Sequence, residues 1–219
     1  MSWLRRWWPG AGAAAGPAAG TVERWLVLDV ETTGLDPTRA HLLAIAAVAL
    51  RVDWGTRRIA LCPGDSLAVT VRPDQVSDKA NILVHGIGVG HQRQGMEPAA
   101  ALKAFLDWAG DGRLVAYHAS FDRTLLDRCA ARHLGRPLDR EWLDIAHLCT
   151  VTHPEVKARA LDDWLEHFGI ECLARHEATA DVMAESELLQ RIWPRVAREC
   201  DSWAATRRFA SRHTWLGPR

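Results

Sequence analysis

The sequence lacks two features that would place it in a particular class. Its 27 basic and 27 acidic residues give a formal net charge of zero, so no overall positive field draws in a polyanion. A nucleic acid would have to be held by local patches or bound metal. No apolar run reaches the roughly 20 residues that span a bilayer. We therefore expect no transmembrane segment.

The sequence also lacks paired cysteines. Its five cysteines are odd in number and widely spaced: Cys62, Cys129, Cys149, Cys172 and Cys200. No CxxC or CxxH spacing indicates a zinc site or a disulfide framework. We interpret them as free thiols in a reducing compartment and expect a cytoplasmic protein.

The chain divides into three segments by composition. Its 219 residues, 48% hydrophobic, suit one α/β domain with extensions. Residues 1–20 combine a Trp/Arg head with a flexible Gly/Ala linker, residues 21–200 form the domain, and residues 201–219 form a basic tail. The head either touches a membrane surface or a partner, or is a leader without a role. The tail either contacts phosphates or is a solvated helix face.

The first strand carries two acids at its end. Trp25–Val30 has strand character, and Asp29 and Glu31, two residues apart, project to the same side. Thr32-Thr33-Gly34 then makes a turn. Adjacent carboxylates repel each other unless cations such as hard divalent ions neutralise them. The alternative is a strand end with two solvated acids.

Further elements follow from hydrophobic patterns and turn signals. We predict strands over His41–Asp53, Ile59–Leu61, Leu67–Arg72 and Arg113–Ala116, with turns at residues 54–55 and 63–65 and a loop at Val84–Ile87. We predict helices over Glu97–Ala109, Leu161–Phe168 and Ala178–Ile192, and another that Ser120 caps and that runs through His133. Short connections between the first strands favour an antiparallel meander.

Three more residues are candidates for the same site. Asp122 falls in the first turn of a helix capped by Ser120, where it either complements the helix dipole or adds a third carboxylate. His176 and Asp181 are five residues apart, unlike a helical zinc pair. That spacing suits a loop histidine and a helix aspartate that reach one site, although a surface histidine is the alternative.

Three ordered motifs resemble those of a known family. They are DVETTG at 29–34, AYHASFD at 116–122 and HEATAD at 176–181, supported by VHGI at 84–87 and LDDWLEHFGI at 161–170. Together they resemble the DEDDh, DnaQ-like 3′–5′ exonucleases, a superfamily that includes the proofreading epsilon subunit of bacterial DNA polymerase III. The resemblance covers about Arg24–Trp193. One departure is Tyr117-His118, where the family usually has His-Asn.

The resemblance implies an RNase H-like α/β fold, with a mixed sheet of an antiparallel meander followed by parallel strands, flanked by helices. It implies that two Mg²⁺ or Mn²⁺ ions are bound by four carboxylates: Asp29, Glu31, Asp122 and Asp181. Asp29 would bridge both ions, and His176 would be the general base. Implied substrate contacts are Thr33, Gly34, His85 and Ile87, with a structural role for His85 left open.

The implied function of residues 21–200 is metal-dependent 3′–5′ exonuclease activity that releases nucleoside 5′-monophosphates from DNA. The partner would be nucleic acid with a free 3′ end, single-stranded or frayed, and a polymerase or other protein partner is compatible. The alternatives are an exoribonuclease like oligoribonuclease, because no residue identifies 2′-hydroxyl recognition, and a catalytically weak scaffold module.

Overall fold

The computed structural model describes residues 22–158 and 160–216. The head and linker expected at residues 1–20 lie outside this range. The strands are β1 (Val22–Thr32), β2 (Leu42–Asp53), β3 (Arg58–Thr70), β4 (Arg113–Ala116) and β5 (Trp142–Asp144). The helices are α1 (Lys79–His85), α2 (Val89–Gln94), α3 (Pro98–Ala109), α4 (Ser120–Leu134), α5 (Ile145–Thr152), α6 (Leu161–Phe168), α7 (Ala178–Glu199), α8 (Trp203–Ala210) and α9 (His213–Leu216). None of these helices has the length and apolar character needed to cross a bilayer.

The five strands form one mixed sheet in the order β3-β2-β1-β4-β5. β1 pairs antiparallel with β2, and β2 pairs antiparallel with β3. β1, β4 and β5 pair in parallel. The expected meander followed by parallel strands, with helices around it, is confirmed.

The two faces of the sheet carry separate apolar cores. On one face Leu26 and Leu28 pack with Phe105 of α3 and Leu125 of α4. On the other, Trp25 and Val27 belong to the cluster built by α5 to α8. This division follows from strand geometry, because successive side chains point to opposite faces. Burying each large apolar side chain contributes roughly 1.5–3 kcal/mol.

Four tryptophans pack together in the core that contains residues of α5 to α8, and one of them belongs to β1. The Trp25 ring meets Trp54, Trp193 and Trp203 edge to face, with centroids 6.0, 5.5 and 5.0 Å apart. Trp203 of α8 is buried and donates a 2.9 Å hydrogen bond to Glu141. Residues 203–210, assigned by composition to the tail, therefore pack on the domain.

Two predicted strands are one. Ile59–Leu61 and Leu67–Arg72 both fall largely in β3, so the turn expected at residues 63–65 is wrong. The pairing register between β2 and β3 shifts between Val48 and Ala49. Residues 63–65 are therefore unpaired and form a bulge in β3, which is an edge strand. Arg24 holds the bulge through hydrogen bonds of 2.6 and 2.7 Å to Asp65.

The loop predicted at Val84–Ile87 is also wrong in its first half, because Val84 and His85 end α1. The Asp78 side chain caps this helix by accepting a 2.8 Å hydrogen bond from the Asn81 amide. Gly86, with φ of 71°, ends it in the left-handed region that glycine tolerates.

Other helix boundaries differ from the prediction. The N-cap of α4 is Ala119, whose side chain makes no capping hydrogen bond, and Ser120 is already helical. The helix predicted to end at Ile192 continues through Pro194 to Glu199, because its apolar face keeps packing on the core. β5 and α5 were not predicted.

Candidate active site

Three carboxylates meet where β1 ends and α7 begins. Asp29 and Glu31 stand two residues apart on β1, and Asp181 lies in the first turn of α7. One oxygen from each lies within 4.8 Å of the others. The expectation that Asp29 and Glu31 share one side of the strand is confirmed.

Burial and mutual repulsion make this cluster costly without a cation. Desolvation, followed by the charge of Asp181, raises the pKa of Asp29 from 3.8 to about 7. Desolvation, with the charges of Asp29 and Asp181, raises the pKa of Glu31 from 4.5 to about 9. Protons would therefore occupy these groups at neutral pH unless a metal ion displaced them.

Asp122 is buried beside this cluster, outside its three-oxygen group. Its side chain is 3% exposed, and Oδ1 has no hydrogen-bond partner among the described residues. Desolvation and then the charge of Asp29 raise its pKa well above the ordinary value. An acid that only complemented a helix dipole would be solvated. The unpartnered oxygen instead fits a bound cation.

The donor set fits a hard divalent ion. Asp29, Glu31, Asp181 and Asp122 offer only carboxylate oxygens, the ligands that Mg²⁺ and Mn²⁺ prefer. The residues present therefore suit the metals implied by the motifs.

Arg175 is the cation that contacts the cluster in this structure. Its Nη1 donates to Asp181 Oδ1, and its Nε donates at 2.5 Å to Asp162. The other oxygen of Asp181 accepts a 2.9 Å hydrogen bond from the His176 amide, and Cys172 Sγ lies 3.5 Å from Oδ1. Arg175 must therefore move if Asp181 is to bind a metal ion through Oδ1 without competition.

His176 lies on the loop before α7, as the spacing predicted. Its side chain is exposed and its φ is 64°. This left-handed conformation costs a non-glycine residue about 1–3 kcal/mol. The hydrogen bond from its amide to Asp181 holds the residue there. The histidine is thus tied through its backbone to one of the clustered acids.

The turn after β1 borders an open cavity. Thr33 and Gly34 line a space of about 570 Å³ together with Asp78 and neighbouring residues. Thr33 is fixed by two hydrogen bonds with the His41 backbone, of 3.0 Å from its amide and 2.8 Å to its hydroxyl. In the part of the chain that the structure describes, no atom outside residues 33–35 lies within 4 Å of a Cβ placed on Gly34. A ligand could therefore approach the backbone of this turn.

His85 does not offer a free polar atom to a ligand. Its ring is buried, Nδ1 accepts a 3.0 Å hydrogen bond from the Ile87 amide, and Nε2 lies 3.3 Å from the Ser77 hydroxyl. Burial lowers its pKa. This geometry favours the structural role for His85. Ile87 is half-buried, and its carbonyl accepts a 2.7 Å bond from Gln92.

The Tyr117-His118 departure has a structural explanation. His118 has φ of 60°, where asparagine and histidine are enriched among non-glycine residues. Its amide donates a 3.2 Å hydrogen bond to Asp144 of the unpredicted β5. The backbone before Asp122 is therefore held by this hydrogen bond, with His118 at the position where the family usually has asparagine.

Glu185 is a fifth carboxylate that the motifs did not reveal. It lies one turn after Asp181 on α7, is 3% exposed, and accepts a 3.3 Å hydrogen bond from the Tyr117 amide. Desolvation and then the charges of Asp29 and Asp122 raise its pKa well above the ordinary value. The i, i+4 spacing from Asp181 was the one sequence signal for it. Glu185 thereby links α7 to the segment before Asp122.

Comparison with known proteins identifies the family. The profile of the RNase_T exonuclease family, described as "Exonuclease", matches residues 26–189. The chain belongs to this exonuclease family. The resemblance to DEDDh, DnaQ-like 3′–5′ exonucleases is thereby confirmed.

Curated relatives and solved structures agree with this assignment. The chain is 30% identical over 179 residues to DNA polymerase III PolC-type of Streptococcus pyogenes, and covers 11% of that protein. It is 28% identical over 171 residues to the Bacillus subtilis counterpart, again covering 11%. These alignments take in 80% and 78% of the chain.

Two solved structures show the same fold. The Escherichia coli Exonuclease I complex with a dT13 oligonucleotide matches with a TM-score of 0.65 and 20% identity, over 80% of this exonuclease and 42% of that chain. Exonuclease I of Methylocaldum szegediense matches with a TM-score of 0.64 and 20% identity, over 81% and 43%. The chain thus spans about a ninth of these two PolC relatives and under half of the Exonuclease I chains.

Proposed function

We propose that this protein is a metal-dependent 3′–5′ exonuclease that hydrolyses DNA from its 3′ end and releases nucleoside 5′-monophosphates. The observation that carries the proposal is the three-oxygen cluster of Asp29, Glu31 and Asp181, with buried Asp122 beside it. Clustered, desolvated carboxylates destabilise a fold unless a cation binds them, and a scaffold has no need of them.

In this proposal Asp29, Glu31, Asp122 and Asp181 hold two Mg²⁺ or Mn²⁺ ions. Bound ions would neutralise the scissile phosphate, activate water and stabilise the departing 3′-oxygen. His176, exposed on the loop before α7, accepts the proton of the attacking water. An imidazole is suited to this step because a neutral ring has one nitrogen that can accept a proton.

The turn at Thr33 and Gly34 is proposed to orient the terminal nucleotide. It borders the 570 Å³ cavity and is fixed by the His41 backbone. The exposed side chain of Leu35 lines the same cavity. Ile87 follows α1, whose cap Asp78 also lines that cavity. Stacking of a terminal base on such side chains tolerates any sequence and requires an unpaired end, so a single-stranded or frayed end is the proposed substrate.

DNA is the proposed substrate because the similar proteins are DNA polymerases and exonucleases solved with DNA oligonucleotides. The curated relatives are DNA polymerases, and the Exonuclease I structures include complexes with dT13 and dA16 oligonucleotides. On the same basis we propose a cytoplasmic location and leave open an association with a polymerase.

The test is digestion of single-stranded, duplex and mismatched DNA, labelled at either end, in EDTA, Mg²⁺ or Mn²⁺. We expect stepwise shortening of 5′-labelled strands and early release of mononucleotides from 3′-labelled strands, with metal only. Asp29→Ala should abolish this metal-dependent hydrolysis, while Asp107→Asn, at an exposed acid on α3, should leave it unchanged. Equal inertness of wild type and Asp29→Ala would favour the scaffold. A strong preference for matched RNA would favour the exoribonuclease.

The role of His176 has a separate test. His176→Ala should lose most hydrolysis yet keep its Mn²⁺ affinity in calorimetry, because a base is not a metal ligand. Loss of Mn²⁺ binding in this variant would contradict the assignment.

A further inference from the structure

An apolar groove runs along α7 on the side of the sheet edge. Its volume is about 740 Å³, and its lining includes Leu61 of β3, Leu173 and Met183. Leu173 is 95% exposed and Met183 is 42% exposed. Large apolar side chains gathered around one groove are a common mark of an interaction site.

The rim of this groove is acidic. Glu171, Glu177 and Glu187 line it, and Arg191 is the one basic lining residue in the described part of the chain. Arg191 is itself paired with Glu187 at 2.7 Å. Glu171 and Glu177 are exposed and have no ion pair within residues 22–158 and 160–216. The groove therefore suits an occupant that is apolar and positively charged.

The head of the same chain has this chemistry. Residues 3–8 read WLRRWW, and Arg5 and Arg6 are the only charged side chains in residues 1–20. Three indoles and a leucine would supply the apolar contact, and two guanidinium groups would face the free glutamates. Tryptophan and arginine are also the residues that contribute most to interfaces.

The linker is long enough to bring the head to the groove. Leu61 pairs with Leu50, which pairs with Trp25, three residues from the start of β1 at Val22. The groove thus lies roughly 10 Å along the strands and roughly 10 Å across them from Val22. Residues 9–21 are rich in glycine and alanine, and the average end-to-end distance expected of a glycine-rich segment of this length is about 20 Å.

We propose that residues 3–8 dock in this groove in cis. Because Ala174 and Glu177 line the groove, the docked head would lie beside the loop that carries His176. The proposal goes beyond the exonuclease function and does not depend on it.

The test is hydrogen exchange measured by mass spectrometry on the full chain. At an effective concentration of about 1 mM, a head that binds with a Kd of about 0.1 mM is docked most of the time, and its amides exchange about tenfold more slowly. Leu173→Glu should remove this protection, whereas Leu83→Glu, at a 76% exposed leucine on α1, should keep it.

A reciprocal variant checks the groove side. The double substitution Trp7→Ala and Trp8→Ala should speed exchange in residues 171–177 without changing the cores of the sheet. Equal exchange of residues 3–8 in wild type, Leu173→Glu and Leu83→Glu would overturn the proposal. So would a dimer in sedimentation that Leu173→Glu dissociates, because a second copy would then occupy the groove.

Discussion

The two ends of β1 differ in what holds them. At its start, Trp25 packs edge to face against three other tryptophans and is fully buried. At its end, Asp29 and Glu31 face Asp181, and desolvation and the neighbouring carboxylates raise the pKa values of Asp29 and Glu31. Helix α7 spans the same two regions, from Asp181 to Trp193.

The difference shows how the fold tolerates a costly site. Aromatic pairs contribute about 0.5–1.5 kcal/mol each beyond their burial, so the tryptophan end fixes β1 against α7. The acidic end then keeps its carboxylates close together because β1 and α7, which carry them, are packed against each other through Trp25 and Trp193. We therefore expect stability to depend on the tryptophan end and hydrolysis on the acidic end.

Asp29→Ala should abolish the function of the acidic end of β1 without destabilising the fold. We expect exonuclease activity to fall by about 10³-fold or more, because several kcal/mol of transition-state stabilisation depend on the metal site. In EDTA its thermal midpoint should equal or exceed that of wild type, because a repelling buried charge is removed. Activity assays and calorimetric melting measure both. A large fall in the EDTA midpoint would contradict the comparison.

Trp25→Ala should remove the tryptophan packing at the start of β1 and destabilise the fold. We expect a loss of about 3–5 kcal/mol in the free energy of unfolding, as for large aromatic residues in cores, measured by urea denaturation. Trp25→Phe, which keeps part of the packing, is the variant to use if the alanine protein does not fold. Trp108→Ala, at a half-buried tryptophan over Arg24, should cost less. Equal losses for the two alanine variants would refute a special role for the cluster.

Glu185→Ala should have an intermediate effect. It removes the acceptor of the Tyr117 amide and so loosens the segment before Asp122. Groups that support metal ligands typically contribute 10–100-fold to metal affinity or activity, so we expect about a tenfold loss in activity. Glu185→Gln, which keeps an acceptor oxygen, should recover most of it. Alanine at half-exposed Glu187 is the control.

Metal removal should reveal a pH dependence of stability. The folded-state pKa values of about 7 for Asp29 and about 9 for Glu31 exceed the ordinary values of 3.8 and 4.5. The folded state then binds more protons than the unfolded state, so stability in EDTA falls as pH rises from about 4 to 9. At about 1.4 kcal/mol for each unit of pKa difference, we expect a loss of several kcal/mol over this range, which saturating Mn²⁺ should largely reverse.

Local sequence patterns were enough to predict how Asp29, Glu31, His176 and Asp181 are placed on their own elements. Asp29 and Glu31 share a strand, so period two fixes their common side, and structure confirms it. The spacing of His176 and Asp181 placed one on a loop and the other in a helix. Both inferences need only the geometry of one element.

Other features depended on contacts that no short pattern contains. In the sequence, Glu185 resembles any acid in an amphipathic helix. Its role depends on the packing of α7 beside Tyr117, whose amide donates a hydrogen bond to it. β5 is three residues long and gives no usable periodicity. His85 lies in a short helix whose cap, Asp78, is a common surface residue. In each case tertiary packing decided what propensity alone did not.

The most direct test of the central claim is a crystal structure with Mn²⁺ and a nucleoside 5′-monophosphate, read from anomalous scattering. The account predicts two peaks about 3.5–4 Å apart, one enclosed by oxygens of Asp29, Glu31 and Asp181 and the other reached by Asp122, with Arg175 displaced from Asp181. No anomalous peak at these carboxylates under saturating Mn²⁺ would contradict it.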